Sequence, residues 1–101
     1  MRMLNLNVAV KFEYFALISE GKKNEEFRDI TPYWVERLCV MPEDMTAEKM
    51  SEAVSEGKIK PQFKPYTHIT FHCGTHQTIR EITSIRVSDD GTFFVIEFVK
   101  Q

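Results

Sequence analysis

Leu4, Leu6, Val8 and Val10 alternate with Asn5, Asn7, Ala9 and Lys11. A period of two places alternate side chains on opposite faces, so residues 4–10 read as a half-buried strand. The period then changes. Phe12, Phe15, Ala16 and Ile18 recur at three- to four-residue spacing, which predicts one buried face of a helix over residues 12–20. Gly21 stands where that helix ends, because a left-handed closing residue costs glycine almost nothing. Residues 25–29 return to period two around Phe27. Glu26 and Arg28 therefore share one face of a short strand, and Phe27 points the other way.

Thr31-Pro32 predicts the start of a second helix, since threonine caps and proline is tolerated at the first helical position. Tyr33, Trp34, Val35 and Leu38 give this helix an aromatic, largely buried side, and Met41-Pro42-Glu43-Asp44 stops it. Thr46 begins a third helix, with Met50, Ala53 and Val54 on one face and Gly57 behind it. The last third is β. Ile69, Phe71 and Cys73 alternate with His68, Thr70 and His72 in one strand, and residues 77–88 form the next. Ile79 and Ile82 are three apart, and that slip of phase predicts a β-bulge there. Asp89-Asp90-Gly91 reads as a hairpin turn. Residues 92–99 are apolar on both faces, as a central or barrel-closing strand would be. The whole is a single α+β domain over residues 1–101: a curved sheet or β-barrel with two to three flanking helices.

Composition narrows the functional classes. The chain has 101 residues, 43% of them hydrophobic, enough for one modest core and too apolar for disorder. The net charge of −2 supplies no general basic field, so a nucleic-acid role must rest on a local patch. The two cysteines, Cys39 and Cys73, are far apart and outside any C-x-x-C, which suits reduced thiols in a cytoplasmic protein. The start, Met1 to Asn7, lacks the apolar core of a signal peptide, and no run approaches membrane-spanning length.

The densest polar stretch is Gly21 to Asp29, with Lys22, Lys23, Glu26 and Arg28. Arg28 offers a planar fork of donors suited to phosphate or a base edge, and Lys23 adds a mobile cation. Glu26 can orient either one or accept from an exocyclic amine. The plainer reading is a surface ion pair worth about 0–1 kcal/mol. Tyr33 and Trp34 either stack a base or simply pack their helix. Lys58, Lys60 and Lys64, with Phe63, form a basic-aromatic loop that either contacts phosphate or is merely solvated. His68, His72, Cys73 and His76 invite a metal, but a strand separates His68 from His72 by roughly 13 Å. Zinc ligands stand at about 2.0–2.3 Å, so those two cannot share one ion. No metal and no cofactor is expected.

The run Gly21-Lys22-Lys23-x-x-Glu26-x-Arg28, preceded by Phe12-x-x-Phe15-x-x-Ile18, resembles the ASCH domain family, which reads as an aromatic-containing helix and then G-K-K-x-x-E-x-R. Pro32-Tyr33-Trp34-Val35-Glu36-Arg37-Leu38 is similar to a branch of small ASCH proteins from bacteria and their phages. Phe71-x-x-Gly74 and Phe94-Val95-Ile96-Glu97-Phe98 fall where that branch has its later strands. Residues 39–65 match least. The resemblance implies a PUA-like β-barrel whose cleft, around Lys23, Glu26 and Arg28, binds RNA or a nucleotide. It also brings an alternative, because one bacterial type is an amidohydrolase acting on acetylated cytidine through a lysine and a threonine of this motif. The lysine corresponds to Lys23, but the threonine position holds Glu26, so that chemistry is not carried over. A hydrolase of a modified nucleoside would instead use Lys23 or Glu26 as its base.

Overall fold

A computed structural model describes residues 3–101; Met1 and Arg2, and with them the first part of the N-terminal reading, lie outside the described residues. The elements run β1 (Asn5–Ala9), α1 (Phe12–Ser19), β2 (Glu25–Asp29), α2 (Pro32–Leu38), α3 (Ala47–Ser55), β3 (His68–Cys73), β4 (His76–Val87) and β5 (Phe93–Phe98). The fold is α+β, and the strands form one mixed five-stranded sheet in the order β1-β3-β4-β5-β2. β1 runs parallel to β3, from Asn5 opposite His68 to Ala9 opposite His72. β3 runs antiparallel to β4, and Gly74 at φ 59° makes their two-residue turn. Thr75 has no positive φ, so the turn follows the pattern with glycine first. The sheet ends at β1 and β2 and is not closed into a barrel, because no ladder joins those two strands.

Two compact units make up the chain. The first comprises the chain as far as Glu26, then Pro65–Ser84 and Ile96–Gln101; the second comprises Phe27–Lys64 and Ile85–Val95.

In the first unit, Leu6 and Val8 of β1 are buried with Ile69, Phe71, Ile96 and Phe98. The Phe71 and Phe98 rings meet at 5.0 Å. Each large side chain so buried is worth about 1.5–3 kcal/mol, which makes this core the main stabilising term. From α1 only Ile18 is fully buried, and Phe12 is 67% exposed. The expected helix face thus fails at its first member. At 3.6 residues per turn, Phe12 lies about 120° round the helix from Ile18. The end of α1 is held by Arg80, which donates to the Ile18 carbonyl at 3.2 Å and to the Lys100 carbonyl at 3.1 Å. Gly21 then turns the chain at φ 74°.

The expected slip of phase is also displaced. On β4, Thr78, Arg80, Ile82 and Ser84 keep one partly buried phase, and Ile79 is 51% exposed. The phase changes between Ser84 and Ile85, both of them partly buried. Ile79 therefore belongs to the outward row and needs no bulge to explain it.

In the second unit, Val35 and Leu38 of α2, Met50 and Val54 of α3, and Phe94 and Val95 of β5 are buried. Both caps form as the sequence predicts: Thr31 Oγ1 accepts from the Trp34 N–H, and Thr46 Oγ1 accepts from the Lys49 N–H. Ser51, buried on α3, donates to the Ile30 carbonyl at 3.1 Å. The 57–65 loop is tethered through Phe63, which bridges Cys39 and packs edge-on against Phe94 at 5.9 Å. The position of β5 inside the sheet explains why Phe94, Val95 and Ile96 are buried in succession.

Candidate functional site

Two clusters carry the residues singled out by sequence. In the first unit, Lys23 leaves the glycine turn after α1, and its Nζ donates to Glu26 Oε1 at 2.9 Å. The Lys23 side chain is 20% exposed and that of Glu26 only 6%, so this is no ordinary surface pair. The Lys23 ammonium also stands 4.6 Å from the centre of the Tyr14 ring. An ammonium between a carboxylate and an aromatic face is held by charge on one side and by the ring quadrupole on the other. Lys22 behaves differently, pairing with Glu20 at 3.1 Å where both side chains are well exposed. Such a pair contributes at most about 1 kcal/mol.

In the second unit, Arg28 of β2 and the aromatic residues of α2 come together. The Arg28 guanidinium carbon lies 5.0 Å from the centre of the Trp34 ring. Arg37 lies 5.0 Å from the same ring and 5.4 Å from the ring of Tyr33. Arg37 Nη1 also donates to the Tyr33 hydroxyl at 3.0 Å. The Tyr33 and Trp34 rings meet edge to face at 5.2 Å, and Tyr33 is 59% exposed. Two guanidinium groups are thus laid against one indole, with an open phenol beside it. Contact with the aromatic faces restrains both side chains, so less side-chain freedom is lost when they meet an anion.

Tyr14 does not stand out in the sequence, and Arg37 does so only as part of the run Pro32-Tyr33-Trp34-Val35-Glu36-Arg37-Leu38. The signal for Arg37 was present, because positions three and four apart on a helix are neighbours, which sets Arg37 against both Trp34 and Tyr33. Tyr14 carried no such signal.

The lysines of the 57–65 loop have separate roles. Lys64 Nζ donates to the Glu36 carbonyl at 2.7 Å and its N–H to the Leu38 carbonyl at 2.8 Å, so this residue closes the carboxyl end of α2. Lys58 pairs with Glu56 at 3.2 Å, and Lys60 lines a cleft. On β3, His72 Nε2 meets Asn7 Oδ1 at 3.0 Å and His68 Nδ1 meets Thr67 Oγ1 at 2.9 Å. Among the described residues, no three His, Cys, Asp or Glu side chains are grouped to hold a metal ion. Both cysteines are free thiols; burial pushes Cys39 up to about 11, with the Lys64 charge acting in the opposite direction. No helix of the described residues is long and apolar enough to cross a membrane.

No family model, curated protein or solved structure matches the chain.

Proposed function

We propose that this chain is an RNA- or nucleotide-binding module of the ASCH type, built on an open, curved form of the PUA-like sheet that the resemblance implies. The supporting observation is the pair of guanidinium groups on Trp34 beside the exposed Tyr33. Phosphate needs planar, preset donors, which Arg28 and Arg37 supply. A base needs an accessible aromatic face, which Tyr33 supplies. With a net charge of −2 over the chain, such binding rests on this patch rather than on the field of the whole protein.

The test is anisotropy of a labelled single-stranded RNA over a range of salt. Arg28→Gln and Arg37→Gln should each weaken binding and lower the log–log salt slope by about 0.7, the share of one phosphate contact. Tyr33→Ala should weaken it by about 1–3 kcal/mol with the slope unchanged. Slopes that stay the same in both arginine variants would dispose of the reading.

A second reading is favoured by the Lys23–Glu26 contact. Lys23 or Glu26 would act as the base that takes a proton from an attacking water; the water adds to the acyl carbon of an N-acylated nucleoside, the C–N bond breaks, and the carboxylic acid and the free amine leave. Incubation with N-acylated nucleosides, read by mass spectrometry, separates the two. Release of the acyl group that is lost in Lys23→Met supports hydrolysis, and unaltered nucleosides leave binding alone.

A further inference from the structure

The loop from Gly57 to Phe63 forms one side of a cleft of about 690 Å³ in the second unit, together with the end of α3, the end of β4 and the turn Ser88–Gly91. That volume lies in the range of small-ligand sites. Val54, Ile59, Phe63, Ile85 and Val87 give it an apolar lining. The charges are mixed: Lys60 and Arg86 line the same space as Glu56, Asp89 and Asp90. A phosphate would meet those three carboxylates, so the cleft is ill suited to the nucleic acid that the lysines of the loop suggest.

Two of these charges carry the argument. Asp90 is occupied, accepting from Ser88 Oγ at 2.7 Å and from the Thr92 N–H at 3.0 Å, and Glu56 pairs with Lys58. Among the described residues, the side chains of Lys60 and Asp89 have neither a hydrogen bond nor an ion pair, with each other or with anything else. One cleft therefore presents an apolar lining with an unengaged cation and an unengaged anion.

We propose that it binds a short apolar peptide with free termini, its α-ammonium group toward Asp89 and its α-carboxylate toward Lys60. A zwitterion with an apolar body uses both charges and the lining together, and the volume exceeds that of a single amino acid. This site is separate from the Trp34 cluster and does not depend on it.

The probe is the tripeptide Leu-Phe-Leu, followed by amide chemical shifts of the ¹⁵N-labelled protein. Shifts are expected in residues 57–63 and 88–91. N-acetylation and C-amidation should each weaken binding by about fivefold, as expected for an exposed charge contact at the upper end of its range. Asp89→Asn should remove the effect of acetylation, and Lys60→Gln that of amidation. Both are exposed positions, and amide dispersion verifies the fold of each variant. The proposal is overturned if the doubly blocked peptide binds as tightly as the free one, if the shifts fall elsewhere, or if none occur at millimolar peptide.

Discussion

Lys23 Nζ lies 2.9 Å from Glu26 Oε1, and the carboxylate is the more buried partner. The two ends of this contact are therefore not equivalent. Lys23→Met removes the cation from a carboxylate that water barely reaches, and should cost about 1–3 kcal/mol. Glu26→Leu leaves a lysine on a flexible stem that can turn outward, and should cost less. The double variant should cost less than the sum of the two. Urea unfolding of the four proteins measures that coupling.

Arg80 should matter to stability although it stands in neither candidate cluster. Besides the carbonyls of Ile18 and Lys100, it donates to Thr78 Oγ1 at 2.9 Å and to the Ile79 carbonyl at 3.0 Å. Arg80→Leu should cost about 2–4 kcal/mol, since charge-assisted bonds are the stronger ones. Arg80→Lys should recover little, because a point charge cannot span the same acceptors. Thermal and urea midpoints check both.

Gly21 should resist replacement. Its φ is 74°, and an added Cβ would sit 3.3 Å from Gln101 Nε2. That side chain can move, so most of the cost is conformational. Gly21→Ala should lose about 1–2 kcal/mol in urea unfolding, and Gly21→Asn less, as asparagine tolerates this region better.

The elements set by local rules were legible in the sequence. The Thr31 and Thr46 caps and the alternation of Leu6 and Val8 with Asn5 and Asn7 depend on residues a few positions apart, and all three form. The misread positions are those where a local pattern fits two faces. Phe12 has helical spacing from Phe15, yet it falls outside the stripe that Ile18 defines, and Ile79 belongs to the outward row of β4. Sheet order was beyond reach, because the parallel pairing of β1 with β3 joins residues more than sixty positions apart. The same holds for the candidate site. The sequence places Arg28 on a strand and Trp34 on a helix, but their cation–π contact depends on how those two elements meet.

Stability should also fall at alkaline pH through Cys39. Burial raises its thiol from 9.0 to about 11 in the folded chain. The folded value lies above the unfolded one, so the contribution is complete below about pH 9 and is lost as pH rises toward 11. The amount is roughly 1–3 kcal/mol. Other groups titrate in this range, so the quantity to measure is the difference between wild type and Cys39→Val in urea unfolding, at about pH 8 and about pH 10.5. The wild type should lose more stability over that interval. Iodoacetamide should label Cys73 faster than Cys39 in the folded protein, because Cys39 is fully buried.

Trp34 is the sole tryptophan, so its emission reports from the centre of the proposed site without any label. Titration of the folded protein with a single-stranded oligoribonucleotide should change that emission to saturation. Added salt should reverse the change, and Arg37→Gln should weaken it. Emission that stays constant while the oligonucleotide is shown by anisotropy to bind, or the absence of binding by either readout, would contradict the account.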